Sequence, residues 1–424
     1  MGARSMQPRV PDLSLAAWAL GLACLMACAP AAPERGSARS HHSLAELTAS
    51  PRSTHAGVER PLSADTRAIV PAAIGPTTRR SSAEPPAPPP RADPFEMTFV
   101  GDVILGRYRD DGFDPIPEGE HELFGEVGHL MGSDLVVGNL ETPLAAVLPD
   151  RSPVGTRYSF AGDPTLARHL AFGGFDVMSL ANNHAYDLRG EGVEQTPKIL
   201  EQLGITAVGA ARAEGPRFAV ETVERDGWRI GFLALTTKAN IPSLHGVPPL
   251  PLLEVTQIEQ QLVPLVQDAR ASHDLVVVLA HWGEEYADAP LWEQRAAAHA
   301  LVEAGADLVI GHHPHVLQGI ERHGHGLIAY SMGNFLFENV KDIPRMTGVL
   351  RVRYEAGGCL EDARVHPAFI KSIPLKYPAP ATGYMGSQIK ERLRSLSAGW
   401  GTRFSDDGDD LRIDGPACPG ADED

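Results

Sequence analysis

The chain has 424 residues, a net charge of −17, 43% hydrophobic and 21% charged residues, an ordinary globular balance with room for one large domain or two smaller ones. This acidity argues against nucleic acid or an anionic membrane surface as a main partner. It leaves an anionic substrate open, because a bound metal can reverse the local field.

The first element is a targeting segment. Arg4 and Arg9 form a weak basic region, and Leu13 to Ala27 is an apolar stretch of about fifteen residues, too short to cross a bilayer comfortably. It ends in Leu25-Met26-Ala27-Cys28, which resembles the lipobox of bacterial lipoproteins; ordinary signal cleavage nearby is the alternative. Residues 1–28 thus read as a signal peptide, and the mature chain as exported to the cell envelope. Residues 29–94 are rich in Pro, Ala, Ser and Arg without periodicity. Such a stretch predicts a disordered tether between membrane and domain.

A domain is expected over residues 95–375. Met97 to Val100 reads as a strand running into Gly101-Asp102 and then Val103 to Arg107. Glu122 to Gly132 reads as a short helix. Asp134 to Val137 is a strand ending in Gly138-Asn139-Leu140-Glu141. Pro164 to Phe172 reads as a helix, and Phe175 to Leu180 as a strand delivering Asn182-Asn183-His184. Gly192 to Leu203 is an amphipathic helix stopped by Gly204, and Ile205 to Val208 is a short strand. Phe218 to Val223 and Trp228 to Leu235 flank Asp226-Gly227, a hairpin signal.

Val255 to Ala271 is helical by spacing. Asp274 to Leu279 is the most apolar strand and delivers His281-Trp282-Gly283-Glu284-Glu285-Tyr286. Leu291 to Ala304 is a helix with Gly305 at its C′ position. Leu308-Val309-Ile310 then runs into Gly311-His312-His313-Pro314-His315. There Gly311 should let the backbone turn, and Pro314 should keep His313 out of the helical region. Gly326 to Tyr330 is a strand leading into Ser331-Met332-Gly333-Asn334-Phe335. Thr347 to Tyr354 and Ala363 to Ile370 read as a final hairpin.

Residues 376–424 read as a C-terminal extension. Gln388 to Leu396 suits a helix, and Asp406, Asp407, Asp409 and Asp410 with the terminal Asp422-Glu423-Asp424 read as a solvated acidic tail rather than a calcium loop. Export permits a Cys359–Cys418 disulfide, closing a loop of roughly sixty residues and adding about 3–4 kcal/mol; two free thiols are the alternative.

Strands alternating with helices predict an α/β core, in which ligands gather at the carboxyl ends of strands. Five strands end in side chains able to bind metal: Asp102; Glu141; Asn183 with His184; His281; and His313 with His315. Oxygen and imidazole donors together suit Mn, Fe or Zn. Their number suits two ions sharing a bridging group. Each has a plainer reading: a turn cap for Asp102, a buried partner of Arg107 for Glu141, a loop-satisfying amide for Asn183, a core histidine for His184. His184, Asn183 and Glu141 are the catalytic candidates. Arg107, Asn334 and Tyr286 are candidates for substrate contact, Trp282 for a pocket wall, and His312 for orienting its loop.

Gly101 to Arg107, Gly138 to Glu141, Asn182-Asn183-His184, His281 to Tyr286, Gly311 to His315 and Tyr330 to Phe335 occur in one order over residues 95–345. Together they resemble the CapA family of capsule synthesis, associated with poly-γ-glutamate and similar in fold to calcineurin-like metallophosphoesterases. The resemblance implies a four-layer αββα sandwich, metal ligands at Asp102, Asn183, His281, His313 and His315, and His184 beside the reacting group. Two positions depart from that pattern: Ile104 stands where a histidine is usual, and Asn139 where an aspartate is usual. One ion instead of two is the implied change. The implied function is an exported metal-dependent hydrolase, phosphoesterase-like or cleaving a γ-glutamyl amide, with an anionic polymer as substrate. The alternative is a lipid-anchored, non-catalytic factor of capsule export that binds polyanion beside other capsule-synthesis proteins.

Overall fold

A computed structural model of the chain describes residues 91–116, 122–372 and 376–415. β1 (Phe95–Val103) leads into a small hairpin of β2 (Gly106–Arg109) and β3 (Gly112–Pro115). Then follow α1 (Gly128–Met131), β4 (Leu135–Leu140), α2 (Pro164–Phe172), β5 (Val177–Ser179), α3 (Arg189–Gln202) and β6 (Thr206–Val208). The hairpin of β7 (Val220–Arg225) and β8 (Trp228–Thr236) precedes α4 (Ile258–Arg270), β9 (Leu275–His281), α5 (Trp292–Glu303) and β10 (Leu308–His312). Next come β11 (Ile320–His323), β12 (Gly326–Ala329), β13 (Asn334–Leu336), α6 (Asp342–Arg345), β14 (Met346–Tyr354) and β15 (Leu360–Lys371). β16 (Tyr377–Pro380), α7 (Gly383–Ser397), β17 (Phe404–Asp407) and β18 (Asp410–Ile413) complete the described chain.

Two mixed sheets result. The first runs β17-β18-β15-β14-β1-β4-β5-β6, with β13 beside β1 and β16 beside β15; the second runs β11-β12-β10-β9-β8-β7. The period of two along each strand splits its apolar run between two cores. Leu275, Val277 and Leu279 join Phe95, Met97, Phe99, Phe232 and Ile310 in one buried cluster. Val276 and Val278 join Leu262 and Val266 of α4 and Leu301 of α5 in another. Val100 and Val136 join Leu170 of α2 and Ile199 of α3 in a third. Helices, sheet, sheet, helices is the αββα order that the resemblance implied.

Some boundaries moved. The expected helix over 122–132 is a series of turns ending in the four-residue α1, and the strand expected over 175–180 keeps only Val177–Ser179. The acidic stretch read as a solvated tail is instead the β17–β18 hairpin, turning through Gly408 at φ 61°. Asp406 is held by Lys390 and Arg394 at 2.7 Å each, and Asp410 by His366 at 2.6 Å. The stretch is solvated as expected, with Asp406 57% exposed, but it is ordered as a strand pair and not a tail. The extension is also part of the first sheet, since β16 and β18 both pair with β15. At the other end, Ala92 donates to the Asp226 carbonyl and accepts from Trp228 Nε1, at 2.8 and 2.9 Å. Cys359 is disulfide-bonded. The signal peptide, the tether up to residue 90, Cys418 and the terminal acidic residues lie outside the described residues.

Candidate metal centre

Asp102, near the end of β1, pairs in parallel register with Asn139 of β4 on one side and Asn334 of β13 on the other. In the second sheet His281 and His312 stand in register at the ends of β9 and β10. Both rows lie at carboxyl ends of parallel strands, the edge that α/β sheets offer to ligands. Two glycines let the sheets approach there. A Cβ on Gly101 would lie 2.0 Å from the Gly333 carbonyl oxygen, and one on Gly311 would lie 1.9 Å from that of Tyr330. Residues 330–334, crossing from one sheet to the other, therefore fit only against bare backbone. Gly311 is required by this close approach, not by a turn, since its φ is not left-handed.

The turning falls on the residues after it. His313 has φ 94° and His315 φ 56°, a region that costs side-chain-bearing residues about 1–3 kcal/mol each. Pro314 does keep His313 out of the right-handed helical region. The strained loop is held by its neighbours: His313 N donates to Asp102 Oδ2 at 3.3 Å, and Tyr286 N donates to the Pro314 carbonyl at 2.7 Å. His312 points elsewhere. Its Nε2 donates to the Val100 carbonyl at 3.1 Å, tying the second sheet to the first.

Inside, the ligand-type side chains converge. Asp102 Oδ1 accepts from Asn139 Nδ2 at 2.8 Å, and Asp102 Oδ2 lies 3.2 Å from His315 Nδ1. Asn334 Oδ1 is 2.9 Å from the same His315 nitrogen, and its amide donates to the His315 and Pro344 carbonyls. His281 Nε2 donates to Asn183 Oδ1 at 2.8 Å, and the rings of His281 and His313 lie 4.8 Å apart. Asp102, Glu141 and His315 each place a ligand atom within 4.8 Å of the others. Glu141 Oε2 and His313 Nδ1 are buried without a hydrogen-bond partner.

The charges point the same way. Burial lifts the Glu141 carboxyl well above its usual range, and the Asp102 carboxylate lifts it further. Burial also works to raise Asp102, but the hydrogen bond from His315 and the charges of His312 and His315 outweigh it and hold that group low. Burial, then the neighbouring imidazoles, push His281 well below its usual value; burial and His315 push His313 down to about 3. Neutral imidazoles are the form that ligates a metal. Two crowded carboxylates, neutral imidazoles and two unsatisfied buried atoms make a donor set that fits a divalent cation.

His184 stands at the side of this group. Its Nδ1 is 2.7 Å from Asp187 Oδ2, which also accepts from Phe160 N, and its Nε2 is 3.9 Å from Glu141 Oε2. A carboxylate at Nδ1 fixes the proton there and leaves Nε2 toward the site. Asn183 is oriented by Asn240, whose Oδ1 accepts from it at 3.1 Å. Two further candidates lie at the margin of this group, and the plainer reading of Glu141 as a partner of Arg107 is not met. Arg107 pairs with Glu338 and, at 3.8 Å, with Asp114 rather than with Glu141. Tyr286 is half exposed, its ring 6.1 Å from His315. Ile104, where a histidine was expected, is buried in the apolar cluster behind the first sheet.

Three participants escaped the sequence reading. Asn139 entered only as a departure, yet its amide is the hub, also reaching Glu141 Oε1 and His281 Nδ1 at 3.4 Å. Asp187 had a signal, a carboxylate three residues past His184 in the same turn. Asn240 had none, because it comes from the loop after β8 with nothing in its spacing to mark it.

Comparison with known proteins adds a family match. The model of the bacterial capsule synthesis protein PGA_cap matches residues 96–339, more than half of the chain. The capsule biosynthesis protein CapA of Bacillus anthracis is 31% identical over 273 residues, covering 61% of this chain and 64% of that protein. The PGA biosynthesis protein CapA of Bacillus subtilis (strain 168) is 30% identical over 256 residues, covering 58% and 64%. The chain thus spans just under two thirds of the length of these relatives. Among solved structures, a 5′-nucleotidase precursor from Thermus thermophilus is 17% identical, covering 72% of this chain and 59% of that one, at a TM-score of 0.39.

Proposed function

The chain belongs to the bacterial capsule synthesis PGA_cap family, and from that premise we propose that it is an exported, lipid-anchored, metal-dependent hydrolase of the cell envelope. Its substrate is an anionic polymer such as poly-γ-glutamate, or the linkage that carries it. The observation behind this reading is the convergence of Asp102, Glu141 and His315 on one point, with buried ligand atoms on Glu141 and His313 left unsatisfied.

Asp102, Asn183, His281, His313 and His315 would hold Mn, Fe or Zn, with Glu141 as a further carboxylate. Such an ion supplies Lewis acidity toward a carbonyl or phosphoryl oxygen and lowers the pKa of water. The other tasks fall to the chain. His184, its Nδ1 proton held by Asp187, takes or gives a proton at Nε2 beside the scissile bond. Asn240 keeps the Asn183 amide turned inward. Tyr286 and Phe337, with ring centroids 6.1 and 4.6 Å from that of His315, wall the mouth and limit water. Lys238, held by Glu284 at 2.6 Å, and Arg107 offer cations to an anionic chain. The lipid anchor keeps this edge at the membrane, beside other capsule-synthesis proteins.

The test is turnover of poly-γ-glutamate and of an aryl phosphate by metal-stripped protein resupplied with Mn, Fe or Zn. Asp102→Asn and His313→Ala should each lower kcat/KM by at least about 100-fold. The buried Ile104 favours a second reading, a polyanion-binding factor without catalysis. Binding of poly-γ-glutamate with no turnover under any of the three metals would establish that reading and overturn the first.

A further inference from the structure

Away from the strand-end site, α5 and the outer strand β11 bring together a second set of ligand-type side chains. His299 and Glu303 are four residues apart on α5, hence on one face of the helix. Glu321 and His323 are two apart on β11, hence on one face of the sheet. His299, Glu321 and His323 each place a ligand atom within 4.8 Å of the others. The pairing is crossed: His299 Nε2 lies 3.1 Å from Glu321 Oε1, and His323 Nε2 lies 2.9 Å from Glu303 Oε1. The two imidazoles stack 3.8 Å apart, 6° from parallel. Glu321 is fixed in place, because Tyr330 donates its hydroxyl to Oε2 at 2.7 Å and Arg295 Nη2 reaches Oε1 at 3.0 Å.

Two features separate this cluster from a pair of surface ion pairs. His299 Nε2 is buried and, although near Glu321, makes no aligned hydrogen bond. The stacking also holds the two rings side by side, with a ligand atom of each within 4.8 Å of one on Glu321. Glu321, the carboxylate within reach of both imidazoles, is itself buried. The side chains of His323 and Glu303 are 27% and 68% exposed, so an ion can enter from solvent.

We propose that His299, Glu303, Glu321 and His323 form a second metal site that takes a divalent ion of the zinc class and clips α5 to β11. Two imidazoles with carboxylates are a zinc donor set. The site is independent of the strand-end centre. β11 runs antiparallel to β12 and turns into it at Gly324, while β12 runs parallel to β10. The cluster therefore lies at the amino ends of the strands whose carboxyl ends deliver His312 and Ala329. Its role is structural. β11 is one of the two outer strands of the second sheet, and an edge tied to a helix is less open to pairing with another chain.

Full-length protein, stripped by chelator and titrated with Zn²⁺ alone, tests this by ion count and thermal midpoint. His299→Ala with His323→Ala should bind one zinc ion fewer per chain than wild type. His313→Ala should keep a zinc-induced rise in midpoint, and adding His299→Ala should abolish it. Glu303→Gln, at an exposed position, should fold normally and weaken this zinc by at least about tenfold. An equal zinc count in wild type and the double variant would overturn the proposal. So would unchanged zinc affinity in Glu303→Gln, which decides the matter alone if the double variant does not fold.

Discussion

At the scale of single residues, the centre is defined by what its burial leaves unsatisfied. His313 in the folded chain titrates at about 3, against about 6.5 when unfolded. The folded state therefore holds fewer protons across that window. Stability is fully present above about pH 6.5 and is lost as the pH falls toward 3, by up to about 1.4 kcal/mol per pH unit from this one group. In metal-free protein, thermal midpoints measured from pH 7 down to 4 should fall less steeply for His313→Gln than for wild type; equal slopes would contradict the buried, neutral imidazole. Asp187 acts through His184. Asp187→Asn should lower kcat by about 10²–10³-fold with little change in KM and leave metal content untouched. Loss of metal together with activity would instead make Asp187 a support of the ligands.

At the scale of elements, the structure depends on approach distances that a one-letter pattern does not carry. Gly311→Ala places a methyl group 1.9 Å from the Tyr330 carbonyl oxygen and 2.7 Å from Nε1 of the buried Trp282, whose ring is held by its bond to the Tyr330 carbonyl. It should cost at least about 3 kcal/mol, read as a lower midpoint in denaturant; a change under 1 kcal/mol would mean that the crossing segment can move aside. Long buried strands were legible in the sequence because, packed on both faces, they appear as continuous apolar runs such as Leu275 to Leu279. Their polar ends were legible because Asp102, His281 and His313 follow those runs directly. Short strands were legible only where an apolar run marked them, as at Ile205 to Val208. Asn334–Leu336 becomes a strand only because it meets β1 after crossing between sheets. The β17–β18 hairpin was hidden by its acidity, although Gly408 stood where a turn needs it. The Asn139 hub was missed for a different reason: an amide among carboxylates and imidazoles carries no distinctive spacing.

At the scale of the molecule, residues 376–415 are part of the first sheet and its core. Ile389, Leu393, Leu411 and Ile413 all join the cluster between the sheets. Burial of each side chain contributes about 1.5–3 kcal/mol, so their joint loss is comparable with the whole stability of a typical domain. A chain ending at residue 375 should therefore be insoluble or lack a cooperative unfolding transition; a cooperative transition near that of the full chain would contradict this. The strand-end centre bears on the whole molecule too, since its residues come from the ends of both sheets. The central claim is that these strand ends hold a metal ion. Its most direct test is elemental analysis of purified protein in the His299→Ala, His323→Ala background, with and without Asp102→Asn and His313→Ala. The account predicts at least one tightly held transition-metal ion per chain, lost when Asp102 and His313 are replaced. The same metal content with and without these two side chains would contradict it.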